Sequence, residues 1–214
     1  MTSVSIAAFE PVCAWLEAHG TSCFEMLGFV TGVLNVWLVT RQSLWSWPIG
    51  IINAAVYAFV FASAGLYSDT GLQIVYFGLS IYGWWHWWRG QPSGAAERAP
   101  LPVTPVPRAL WPRLIGVTML TWIVLATITI QIPTAVLPWF DAALVSSSLV
   151  AQWMMTRKLR ECWLVWIVID LSYVVLFLIR DLRLTAVLYF LFFALAVRGH
   201  IAWTRSMRAS NSAK

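Results

Sequence analysis

Long apolar runs, each about one bilayer crossing in length, alternate along this chain with short polar or Pro-rich breaks. A transmembrane helix needs about 20 mostly apolar residues. Runs of that kind lie near 24–40, 45–64, 70–88, 113–131, 136–156, 162–179 and 184–204. Ahead of them, Phe9, Val12, Trp15 and Leu16 recur at helical spacing, with Glu10 and Glu17 on other faces. Segment 1–22 therefore reads either as a short interfacial helix or as an ordered or frayed terminus. No Lys or Arg precedes Arg41, so a basic leader is not expected and the first apolar helix reads as a retained span. The stretch 89–112 differs: Pro92, Pro100, Pro102, Pro105, Pro107 and Pro112 remove backbone donors and block helix, so it reads as a linker outside the membrane.

Composition agrees with the pattern. Of 214 residues, 60% are hydrophobic and only 11% are charged. Mean hydropathy is +0.73. A soluble domain carries roughly 25% charged residues, so lipid must cover most of this surface. The expected fold is an all-α polytopic membrane protein with seven transmembrane helices. Cys13, Cys23 and Cys162 form no CxxC or metal spacing and read as small, weakly polar helix residues.

Charge placement sets an expected orientation. With the N-terminus outside, Arg41, Arg89, Arg98, Arg108, Arg113, Arg157, Lys158, Arg160, Arg198, Arg205, Arg208 and Lys214 fall inside, and only Arg180 and Arg183 fall outside. Cytoplasmic loops carry such an excess of Lys and Arg. The rule accounts for the net charge of +5 without any nucleic-acid partner.

The chain also matches itself without gaps at an offset of 116 residues, with 13 identities over the 51 positions from 37 to 87. Trp37, Trp47, Tyr57, Gly83 and Trp87 fall on Trp153, Trp163, Tyr173, Gly199 and Trp203. The chain thus divides into an N-terminal segment (1–22), a three-helix unit (23–88), the linker (89–112), a linking helix (113–131), a second unit (136–204) and a tail (205–214). An odd number of spans per unit would invert the second one. The extra helix restores its direction, so the repeats are parallel, and in repeat transporters the substrate site lies at the repeat interface near the midplane.

Polar residues at membrane depth recur beside aromatics or hydroxyls on single helix faces. Asn53 and Tyr57 are four apart, Gln73 and Tyr76 three, Ser148 and Gln152 four, and Trp166 and Asp170 four, with Tyr173 three further on. Each group has two readings, as a hydrogen-bonded link between helices or as a contact to a polar solute with a flat ring. Tyr57 and Tyr173 can equally serve packing. Asp170 is the sharpest signal, because a charge at mid-membrane is costly unless paired or hydrated. It either contacts a substrate hydroxyl or cationic ring, or is a structural acid capped by neighbours. Asp141 and Asp69 read as cap or loop residues. His86, within Trp84-Trp85-His86-Trp87-Trp88-Arg89, reads as part of an interfacial aromatic belt. No metal-ligand cluster, nucleophile–base pair or cofactor motif is present, which argues against an enzyme.

The stretches WSWPIGIINAAVYAFVFASAGLYSDTGLQIVYFGLSIYGWWHWWR (45–89) and 140–203, including MTRKLRECWLVWIVIDLSYV and LTAVLYF, resemble the PnuC-type vitamin transporters, best known for nicotinamide riboside uptake. The resemblance implies a SWEET-like fold of three plus one plus three helices. It also implies facilitated diffusion with trapping by cytoplasmic phosphorylation, a supply route for NAD biosynthesis, a homotrimer, and a bacterial inner-membrane location with a cytoplasmic C-terminus. By match of motif, Trp47, Asn53, Gln73, Tyr76, Gln152, Trp163, Trp166, Asp170 and Tyr173 would line the substrate path. Members of the wider family carry thiamine, riboflavin or deoxynucleosides, and a SWEET-class sugar carrier is a further alternative.

Overall fold

The structure, a computed structural model, describes residues 23–63, 67–90, 100–131, 137–179 and 183–212. The interfacial helix expected within 1–22 lies outside these residues.

Among the described residues there are seven α-helices: α1 (Cys23–Thr40), α2 (Ser46–Ser63), α3 (Tyr67–Arg89), α4 (Trp111–Thr129), α5 (Pro138–Thr156), α6 (Cys162–Ile179) and α7 (Arg183–Ser212), with a 3₁₀ turn at Arg108–Leu110. Each expected span coincides with one of them. The difference is at the C-terminus, where α7 continues as helix through most of the expected tail. Pro112 and Pro138 sit in the first turns of α4 and α5, where a missing N–H costs nothing. By length and apolarity, α2, α4 with its 3₁₀ turn, α6 and most of α7 qualify as membrane spans, and α1 holds an apolar stretch at Met26–Thr40. Helices α3 and α5 are more polar, and these two pack on each other.

The helices close into a ring. Helix α2 packs between α1 and α3, and α6 packs between α5 and α7, giving two three-helix units. The units meet along two seams, α3 on α5 and α1 on α7. Adding 116 to the bounds of α2 gives those of α6 at both ends. The same shift carries α1 onto α5 and α3 onto α7, so the two seams are one contact made twice about a pseudo-two-fold axis. Helix α4 has no counterpart and packs on α5. Its Ile115, Val117, Leu120, Ile123 and Ile128 leave an apolar face uncovered.

Turn geometry repeats bond for bond. The amides of Arg41, Gln42 and Ser43 donate to Leu38, Val39 and Leu38 carbonyls at 3.1, 2.9 and 3.0 Å. Those of Arg157, Lys158 and Leu159 donate to Met154, Met155 and Met154 at 3.1, 3.0 and 3.0 Å. Gln42 and Lys158, at the same repeat position, both adopt positive φ, 56° and 51°.

The best-packed core lies at the Arg-rich end of the bundle, around Trp47, Trp87, Met154, Trp163 and Trp203. The described half of the Pro-rich segment is part of it. Thr104 pairs with the α5–α6 turn, donating to Lys158 O at 3.1 Å and accepting from Arg160 N at 3.0 Å. Val106 N–H donates to the Glu161 carboxylate at 2.8 Å, while Val103 and Val106 are buried. With Pro102, Pro105 and Pro107 lacking donors, Thr104 and Val106 place two of the remaining N–H groups on the bundle. Residues 100–107 are therefore a strap against the bundle end.

One cysteine differs from expectation and one agrees with it. Cys23 is disulfide-bonded, and Cys162 is free and buried.

Candidate functional site

One face of α6 organises the candidate residues. Trp163, Trp166, Asp170, Tyr173 and Phe177 follow one another at steps of three or four, so they form a single stripe. At about 1.5 Å per residue, Asp170 lies about 10 Å along the axis from Trp163. The stripe thus joins two clusters at different depths.

The first cluster is a tryptophan quartet on the pseudo-axis at the Arg-rich end. Trp47 meets Trp87 edge-on at 5.1 Å and 84°, and Trp163 meets Trp203 at 5.4 Å and 90°. Trp87 and Trp203 lie 6.0 Å apart and close the set. Each of these two also bonds to the opposite unit: Trp87 Nε1 donates to Thr156 O at 3.0 Å, and Trp203 Nε1 to Val39 O at 3.1 Å. Gly83 and Gly199 make room for the rings, since a Cβ at Gly199 would stand 2.6 Å from Trp163 Cε2 and one at Gly83 would overlap Trp47. The buried indole N–H groups of Trp47, Trp163 and Trp166 have no hydrogen-bond partner among the described residues. Buried polar groups without partners are rare and call for an explanation.

The second cluster is polar and lies deeper. Tyr76 of α3 and Ser148 of α5 share a hydrogen bond at 2.6 Å across the seam between units. Tyr173 donates to Asp141 at 3.5 Å. Tyr189 of α7 packs against Tyr173 at 4.7 Å and Phe177 at 5.2 Å. Its phenol lies within electrostatic range of Asp170, Tyr76, Tyr57 and Asp141. Asp170 is only 5% exposed. Among the described residues its carboxylate forms no hydrogen bond or ion pair, and no Lys, Arg or His there shares its depth. Gln73 and Gln152 are half-buried, and neither amide has a partner among the described residues.

The remaining candidates are placed as follows. Asn53 donates its amide to Gly28 O at 2.7 Å and Thr31 Oγ1 at 3.0 Å, tying α2 to α1. Tyr57 stacks on Phe61 at 5.6 Å and 21°, as Tyr173 stacks on Phe177 at 5.8 Å and 18°. Tyr57 also lies over Gly28, where any Cβ would be 2.8 Å from its ring. Sequence patterning did not single out Tyr189, yet it is the 116-residue mate of Gln73. Reading the non-identical pairs within the 116-residue match would have found it.

Chemically, the deep cluster offers phenols and indoles for stacking, amides and hydroxyls for hydrogen bonding, and one buried carboxyl group. That set suits a planar polar ring, best of all a cationic one.

The profile of the family described as "Nicotinamide mononucleotide transporter" matches residues 22–205. The chain is 26% identical to "Nicotinamide riboside transporter PnuC" of Escherichia coli (strain K12), covering 93% of this chain and 89% of that protein. It is 27% identical to "Riboflavin/roseoflavin transporter RibM" of Streptomyces davaonensis, covering 92% and 95%. The solved structure titled "Crystal structure of the Vitamin B3 transporter PnuC" superposes with a TM-score of 0.71 at 22% identity, over 97% of this chain and 92% of that one.

Proposed function

Because the chain belongs to the nicotinamide mononucleotide transporter family, a family of vitamin transporters and not of enzymes, we propose that it imports nicotinamide riboside by facilitated diffusion. The observation that carries this reading is Asp170, a buried carboxylate with no cation beside it among the described residues and with the Tyr189 phenol in electrostatic range. The pyridinium of nicotinamide riboside is a flat cation that supplies the missing charge, and the unbonded amides of Gln73 and Gln152 supply donors and acceptors for its carboxamide and ribose hydroxyls. The unbonded indoles of Trp166, Trp163 and Trp47 continue the path toward the Arg-rich end. Entry requires the ring stack of Tyr173, Phe177 and Tyr189 to part, which rocking of the two units about the pseudo-axis would do. Phosphorylation on the far side then keeps the gradient inward.

Orientation follows from charge and redox chemistry together. The Arg-rich end faces the cytoplasm. Cys23, at the opposite end of α1, carries a disulfide, which suits the oxidising side of a bacterial inner membrane. The uncovered apolar face of α4 is available to lipid or to the neighbours of a homotrimer.

The test is flux into proteoliposomes with no ATP and no ion gradient. Labelled nicotinamide riboside should equilibrate across the bilayer, and a flux that needs a proton gradient would overturn facilitated diffusion. Riboflavin is the second reading, favoured by a match of similar identity, 27%, to a riboflavin transporter. Riboflavin is neutral and gains nothing from the Asp170 charge, so competition between the two solutes separates the readings.

A further inference from the structure

A cleft of about 480 Å³ opens at the Arg-rich end, away from the polar cluster, lined by His86 of α3, Pro107, Leu110, Arg113 of α4, Trp153 of α5, and Arg157 just past the end of α5. We propose that it binds a phosphate ester, specifically the headgroup phosphate of an anionic phospholipid, between Arg113, Arg157 and His86.

Three observations carry this. First, the cleft is cationic: among the described residues no carboxylate lines it, and the ion pair found there, Arg160 with Glu161 at 2.6 Å, involves neither of its arginines. Second, it is built. Arg157 Nη1 donates to Tyr82 OH at 3.2 Å and its guanidinium stands over Trp153 at 5.6 Å. Tyr82 in turn stacks on His86 at 5.7 Å and 12°. Guanidinium, phenol and imidazole thus form one braced wall spanning both units, which leaves an arginine fork preset for phosphate oxygens. Third, the repeat shows that the arrangement is particular to this seam. The mates of Tyr82 and His86 are Arg198 and Ala202, and among the described residues no helix stands to the α1–α7 seam as α4 stands to α3–α5. The equivalent position therefore lacks the phenol and the imidazole.

The level of the cleft selects the occupant. Trp84, Trp85 and Trp88, close to His86 along α3, and Trp111, next to Leu110, are exposed, and exposed tryptophans mark the headgroup layer. Basic pockets between helices on the cytoplasmic side suit phospholipid headgroups.

The experiment places purified protein in phosphatidylcholine nanodiscs and titrates in phosphatidylglycerol of the same chain length. Retained lipid is read by native mass spectrometry and stability by thermal midpoint. Arg113 makes no bond to the described residues, so Arg113→Gln should fold normally and bind phosphatidylglycerol about fivefold more weakly; adding Arg157→Gln brings the loss to about thirtyfold. Arg205→Gln, basic but away from the cleft, is the control and should bind as wild type does. Equal binding by all variants overturns the site. Stabilisation by inorganic phosphate alone, lost in the same variants, keeps the site and overturns the lipid as its occupant. The readout is independent of transport, so failure here leaves the proposed substrate untouched.

Discussion

Lys158 Nζ donates to Gln42 Oε1 at 3.2 Å, and the two residues are each other's mates in the repeat. The contact therefore sits on the pseudo-axis, joining the two units at the Arg-rich end. Lys158 is 5% exposed, and its ammonium also lies over the Trp87 ring at 4.3 Å. Burial lowers its pKa to about 8, against an ordinary lysine value near 10.4. Below pH 8 the lysine is charged in both folded and unfolded states, and the cost of burying that charge is present in full. Between about pH 8 and 10.5 the unfolded chain holds the proton and the folded one releases it, so this cost is relieved and the lysine's contribution to stability rises with pH. Thermal midpoints taken across that window should climb less in Lys158→Met than in wild type. Parallel slopes would mean that the lysine titrates normally.

The glycine–tryptophan pairs should behave as locked sets. Gly83→Ala drives a methyl into Trp47, and Gly199→Ala into Trp163; overpacking of this kind costs about 1–3 kcal/mol. Trp47→Phe should recover part of the loss in Gly83→Ala, and Trp163→Phe part of the loss in Gly199→Ala. The crossed combinations should simply add. Thermal unfolding of the four double variants checks this.

Tyr76 and Ser148 form a hydrogen bond between the units. Inter-helix hydrogen bonds in membranes contribute about 0.6 kcal/mol on average. A double-mutant cycle with Tyr76→Phe and Ser148→Ala should return a coupling of about that size, favourable in sign. A coupling near zero would place the two groups apart in the lipid-embedded protein.

Much of this architecture was legible beforehand because membrane burial writes itself into hydropathy, and because the repeat preserved bulky marks such as Trp47/Trp163 and Gly83/Gly199. Parallel topology followed from counting spans. Other features were hidden for physical reasons. Asn53 carries the same amide as Gln73, and only the position of α1 decides that its donors go to Gly28 and Thr31. Tyr189 lies in an apolar run with no polar rhythm to mark it. The strap at 100–107 looks like a free linker because its prolines report local backbone preference, whereas its pairing with Leu159 is long-range. Cys23 carried no spacing signal for a disulfide.

The central claim is that the deep polar cluster binds a cationic vitamin ring through Asp170. Calorimetric titration of purified protein with nicotinamide riboside, and with its reduced dihydropyridine form, tests it most directly. The two solutes share a shape and differ by one positive charge. Wild type should favour the cation, and Asp170→Asn should lose that preference while keeping its fold. Equal affinity for both forms in wild type, or an undiminished preference in Asp170→Asn, would contradict the account.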